Sequence, residues 1–164
     1  MRLAILAVGR LKDGPERDLC ERYRSRITET GKALGFSGPD LAELGESRAR
    51  RPEDRKTEEA VLFRGKLQGG QVQGGLVIAL DERGKTFGST DFANRLARER
   101  DAGTASACFI IGGADGLDAA LREQAGLTLS FGGLTLPHQL VRVLVLEQIY
   151  RALTILSGHP YHRV

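Results

Sequence analysis

A chain of 164 residues is the size of one domain and long enough to bury a core without disulfide or metal staples. Hydrophobic residues make up 41% and charged residues 27%, which excludes disordered and fibrous classes. Glycine is enriched, at 21 residues where about 7% is usual, and tryptophan is absent, which argues against a base-stacking platform of many rings.

Cys20 and Cys108 stand far apart with no CxxC pairing, so neither a disulfide framework nor a zinc site is signalled. The N-terminal apolar stretch is too short for a signal peptide. The longest apolar region, residues 140–156, is interrupted by Arg142, Glu147 and Arg151, which disqualifies it as a membrane span. These features predict a cytoplasmic protein. Net charge is +3, with arginines clustered at 22, 24 and 26 and at 48, 50 and 51. Such clusters suit phosphate contacts, although a solvated face has the same look. Residues 124–164 hold three arginines, one acid and all three histidines of the chain.

Strand and helix signals alternate from start to finish. Residues 2–9 form an apolar run closed by Gly9, a buried strand. Residues 16–34 carry Leu19, Tyr23 and Ile27 at four-residue spacing, one helical stripe. Residues 40–44 are a short strand, and 45–56, polar and basic with a proline, are expected to be a mobile loop. A helix over 58–67 ends at Gly69-Gly70, and a Gly/Gln stretch reaches Gly75. Residues 76–81 are the next strand and 82–88 a turn; Ser89 or Thr90 then caps a helix bearing Phe92 and Leu96. Residues 107–111 are a strand running into Gly112-Gly113. A short helix over 118–125 leads to a strand at 127–131, a loop at 132–137, and a long helix opened by Pro137 and stopped by Gly158. This pattern is one α/β domain, residues 1–164, with a mostly parallel sheet flanked by helices. Ligands on such sheets bind beyond the carboxyl ends of the strands, so the loops after Asp81, Ile111 and Phe131 are the candidates.

The loop at 112–116, GGADG, lets backbone N–H groups approach a ligand, but neither GxGxxG in register nor a P-loop is present. The loop Gly132, Gly133, Leu134, Thr135, Leu136, Pro137 mixes glycine with apolar residues and suits a flat neutral group such as an adenine ring. His138 and Arg142 share a helical face, and Tyr161, His162 and Arg163 crowd the tail. Side chains of these types carry acid/base and phosphate-binding work. A metal site is disfavoured, because His159 and His162 lack acidic neighbours in sequence.

Several motifs in order, AVG at 7–9, LDERGK at 80–85, IIGG at 110–113, LTLPH at 134–138, EQIYRA at 147–152 and HPYHR at 159–163, resemble the RlmH family of SPOUT-class methyltransferases. The resemblance covers the whole chain. It implies transfer of a methyl group from S-adenosylmethionine to N3 of a pseudouridine in 23S rRNA, with assembled ribosomes as substrate. It also implies a trefoil knot near the C-terminus and a homodimer with the active site near the interface. Carried over by motif, the cofactor contacts Leu80, Gly113 and Gly132 through Pro137. Arg142 then stabilises charge on the carbonyls flanking N3, and Tyr161 or His162 assists proton transfer or holds the base. Three features depart from the family pattern: Glu59 stands where a glycine is expected, residues 45–56 match poorly, and Gly132-Gly133 replaces bulkier or hydroxylated residues. Two other readings compete, a nicotinamide oxidoreductase and a non-catalytic ribosome-binding factor. Cofactor titration separates the first, and transfer of a labelled methyl the second.

Overall fold

The segment RLAILAV buries six of its seven residues, and alternate side chains feed two different cores. Leu3, Ile5 and Ala7 face one side; Ala4, Leu6 and Val8 face the other. A strand covered on both faces belongs in the middle of a parallel sheet, and this one does. The computed structural model describes residues 1–69 and 72–163. Gly70 and Gln71, within the expected Gly/Gln stretch, and Val164 lie outside the described residues.

Five strands alternate with five helices among the described residues: β1 (Arg2–Val8), α1 (Pro15–Ala33), β2 (Ser37–Leu44), α2 (Pro52–Gln68), β3 (Leu76–Lys85), α3 (Ser89–Asp101), β4 (Ser106–Ile111), α4 (Ala119–Glu123), β5 (Leu127–Leu129) and α5 (His138–Ser157). The sheet order is β2-β1-β4-β3-β5, and every pairing is parallel. Helices α1, α3 and α5 cover one face through Ile27, Phe92, Leu96, Leu146 and Ile149. Helices α2 and α4 cover the other through Ala60, Phe63 and Leu121. Cys20 and Cys108 are free and buried, and burial pushes the Cys108 thiol up to about 12, so both act as small apolar residues.

Several element boundaries depart from the sequence expectation, each for a local reason. Helix α2 begins at Pro52, inside the expected loop, because proline fits a first helical turn and Glu53 and Asp54 suit its positive end. Residues 45–51 are pinned to that helix: Arg55 donates to the carbonyls of Ala49 and Arg50, and the Ser47 N–H donates to Glu59. β3 runs four residues past Asp81, because Lys85 pairs with Leu129 after a register shift. β5 stops at Leu129, where the Ser130 hydroxyl turns back to the Glu82 carbonyl. Gly88, with no side chain to offer, holds the cap position of α3 in place of Ser89 or Thr90. Pro137 is likewise the cap of α5 rather than its first residue.

Candidate active site

The carboxyl ends of β3, β4 and β5 open together into one cavity of about 630 Å³. Leu80 lines it from within β3, Gly113 after β4, and Gly132 and Leu134–Pro137 after β5. Seven of the eight residues assigned to cofactor contact from sequence therefore share one cavity. Gly133 is the exception; it is exposed and does not line the wall. The walls mix apolar side chains (Ile111, Leu117, Val141) with charge (Lys56, Asp81, Arg122).

The loops are tied to one another by polar contacts. Arg122 donates to Asp81 at 3.2 Å, and the other Asp81 oxygen accepts from the Arg83 N–H at 2.9 Å. Thr135 donates to Glu82 at 3.2 Å, and the Gly132 N–H donates to the Ser130 hydroxyl at 3.0 Å. The Gly112–Gly116 turn closes on itself: a Cβ at Gly112 would lie 2.5 Å from the Gly116 carbonyl carbon, so only glycine fits there.

Helix α2 grips this turn from outside, which the sequence reading did not anticipate. The Arg55 guanidinium donates to both Asp115 oxygens, at 2.6 and 2.9 Å, and holds that carboxyl below its ordinary range. Glu59, the departure from the family pattern, is 7% exposed behind Gly113, with Oε2 3.2 Å from where a Gly113 Cβ would sit. A side chain at Gly113 would therefore press on Val8 and Glu59, not project into the cavity. The periodicity of 58–67 alone located a helix without showing which of its charges reach the turn.

Burial raises the Glu59 carboxyl above its ordinary value; the Ser47 N–H and Arg55 oppose the shift, and Asp115 and Glu46 add to it. A raised carboxyl contributes stability at low pH that is lost as pH rises through the folded value. Glu59→Gln keeps the acceptor for Ser47 and removes the buried charge. The variant is expected to melt higher than the parent at pH 8, by roughly 2–4 °C, with the gap closing toward pH 4. Melting curves across that range check the sign, and a constant offset would contradict it.

The three residues assigned to catalysis do not sit together. Arg142 is 3% exposed and lies outside the lining of the large cavity. It donates to Glu43 at 2.8 Å and to the carbonyls of Val8 and Gly9 at 2.7 and 2.6 Å. Tyr161 and His162 fold back on the far end of α5. The left-handed Gly158 (φ 70°) reverses the chain, and the Tyr161 ring packs 4.8 Å from Tyr150. Its hydroxyl donates to Glu147 at 3.1 Å and lies 3.4 Å from the Tyr23 hydroxyl, while Arg151 covers its ring at 4.9 Å. Burial, the Tyr23 contact and the Glu147 charge all push the Tyr161 phenol above its ordinary range, so it stays protonated. His162 Nδ1 lies 3.4 Å from Arg151. His138, the first residue of α5, lines the large cavity, a placement that its helical position alone did not reveal.

A family model described as "Predicted SPOUT methyltransferase" matches residues 1–162. The chain belongs to the SPOUT methyltransferase family. Within that family it is 56% identical over 163 residues to a protein of Rhodopseudomonas palustris (strain TIE-1) named "Ribosomal RNA large subunit methyltransferase H", covering 99% of both chains. A protein of the same name from Bradyrhizobium sp. (strain BTAi1) is 53% identical with the same coverage. Among solved structures, a probable methylase family protein from Haemophilus influenzae matches with a TM-score of 0.53 at 12% identity. That match covers 99% of this chain and 70% of the other. A probable methyltransferase from Bordetella pertussis gives a TM-score of 0.50 at 17% identity over 92% of this chain and 95% of the other, a likeness of fold.

Proposed function

We propose that this SPOUT family member transfers a methyl group from S-adenosylmethionine to N3 of a pseudouridine in 23S rRNA, acting as a homodimer on assembled ribosomes in the cytoplasm. The observation that carries the reading is the convergence of Leu80 of β3 with the loops at Gly113 and at Gly132 and Leu134–Pro137 on one cavity. The cavity fits the cofactor: its size is that of a small-molecule site, apolar side chains suit an adenine ring, and cations and carboxylates suit the zwitterionic amino-acid end. The names of the relatives support the RNA substrate.

When bound there, S-adenosylmethionine supplies an electrophilic methyl group on a sulfonium. The protein's own task is to position N3, remove its proton and stabilise charge on the flanking carbonyls. Gly132 and Leu134–Pro137 embrace the ring of the cofactor, and Leu80 and the Gly113 backbone complete its seat. Arg142 is a fixed cation for the developing charge. Tyr161 or His162, from the tail, assists proton transfer or holds the base. The homodimer reading rests on Leu134 and Leu140, exposed at the start of α5, with Val143 and Leu144 half-buried beside them. A second copy covers such a face.

Incubation with labelled S-adenosylmethionine and ribosomes lacking the modification, followed by mapping of the label, tests the function. Label on N3 of a pseudouridine is the expected result; no transfer, or label on another base, overturns it. The grip of α2 on the cofactor turn gives a further expectation. Arg55→Ala frees Asp115 and is expected to weaken S-adenosylmethionine binding about tenfold by calorimetry, and Arg55→Lys, which lacks the fork, is expected not to restore it. Unchanged affinity would mean that the turn holds its shape unaided.

A further inference from the structure

Beside the cofactor cavity lies a second one, of about 550 Å³, on the other side of the end of β1. Its floor is apolar, from Ile5 and Ala7 of β1 and Leu41 and Ala42 of β2. Its wall carries four arginines, Arg10, Arg17, Arg24 and Arg142, against two acids, Glu21 and Glu43. The two cavities adjoin. His138 lines the first and Arg142, one helical turn on, the second, and both reach Gly9: Arg142 bonds its carbonyl, and His138 Nε2 lies 3.5 Å from where its Cβ would be.

Two observations point to a ligand. The first is Arg142. Its Nη atoms are satisfied by Glu43, Val8 and Gly9, but its buried Nε–H has no partner among the described residues. A buried donor without an acceptor is costly, and a carbonyl oxygen brought by a ligand would satisfy it. The second is the placing of Arg17 and Arg24. Seven residues apart, they share a face of α1 and stand about 10 Å apart along its axis. Their pairs with Asp13 and Glu21 are half-exposed ion pairs of the kind that contributes little. Two guanidiniums at that spacing, with Arg10 beside them, can meet successive phosphates of a strand.

We propose that this second cavity seats one nucleotide of the substrate RNA. Its base lies on the apolar floor with a ring carbonyl accepting from Arg142 Nε, and the phosphates on either side meet Arg17 and Arg24, with Arg10 at the rim. The proposal rests on the reading of the chain as an RNA methyltransferase and adds the place where the strand is held.

The test uses the full chain and a nine-nucleotide oligouridylate carrying one 4-thiouridine. Irradiation and peptide mapping are expected to place the crosslink within residues 5–24 or 41–43 or at Arg142. Crosslinks confined to other peptides overturn the proposal. The double variant Arg17→Glu/Arg24→Glu is expected to bind the oligonucleotide at least tenfold more weakly. The slope of log affinity against log salt should fall by about 1.4, since each lost single-strand phosphate contact removes ~0.7. Lys66→Glu/Arg98→Glu, of equal net charge on other exposed surfaces, is expected to bind like the parent; an equal loss in both doubles would reduce the effect to bulk charge and overturn the seat. S-adenosylmethionine affinity is measured in parallel. A chain that crosslinks at this cavity yet binds no S-adenosylmethionine keeps the nucleotide seat and loses the methyltransferase reading. The opposite pattern does the reverse.

Discussion

Removing residues 159–164 is expected to lower methyl transfer by about 10²–10⁴-fold, the range for loss of a positioned acid or base, while S-adenosylmethionine affinity stays within about twofold. The reason is distance. Helix α5 has 20 residues and the tail turns back at Gly158, so Tyr161 rests beside Glu147 and Tyr150, ~15–20 Å from Pro137 and the cofactor loops at 1.5 Å per residue. In this chain the tail rests on Tyr23, Tyr150 and Glu147, along the middle of the helix and outside the lining of the same chain's cavity. A partner molecule brings a second tail, and the proposed dimer places Tyr161 and His162 beside the other subunit's cofactor. Mixed dimers of a tail-deleted subunit and a Gly112→Ala subunit check this. One of their two sites combines an intact cavity with an intact tail, so activity is expected to return in part. Verified heterodimers without activity would rule out action across the interface, and full activity in the tail-deleted enzyme would end any catalytic role for the tail.

Gly112→Ala itself is expected to abolish measurable S-adenosylmethionine binding and to cost ~1–3 kcal/mol of stability, the usual penalty of overpacking. A Cβ there would lie within 2.6 Å of both the carbonyl carbon and the oxygen of Gly116. Backbone on the other side of a closed turn cannot rotate away as a side chain can, so the turn must open. Gly133→Ala is the matching control: nothing lies within 4 Å of its Cβ position, and binding should be retained. Calorimetry on both variants decides, and wild-type affinity in Gly112→Ala would remove the turn from the cofactor site.

Much of this architecture was legible in the chain itself. Apolar strands without alternation, such as LAILAV and ACFII, required cover on both faces and so announced a parallel sheet. The rule that ligands sit beyond strand ends then selected the segments after Asp81, Ile111 and Phe131, and all three line one cavity, the first of them as strand rather than loop. What stayed hidden depends on long-range pairing. Lys85 extends β3 only because Leu129 lies beside it, and neighbours of that kind leave no local periodicity. Arg55 and Asp115, sixty residues apart, form one grip on the turn. Arg142 looked free on a helical face, yet it is spent largely on two carbonyls at the end of β1.

The edges of the sheet carry a consequence for assembly. β2, at one edge, contains Pro39, which has no N–H to offer, and Asp40, whose carboxylate is paired with Arg2. β5, at the other, is three residues long. Neither rim is a template on which another chain's strand can continue the hydrogen-bond ladder. Any pairing of two such molecules is thereby directed to their helical faces, where side chains set a definite stoichiometry, and away from open-ended growth of sheet upon sheet.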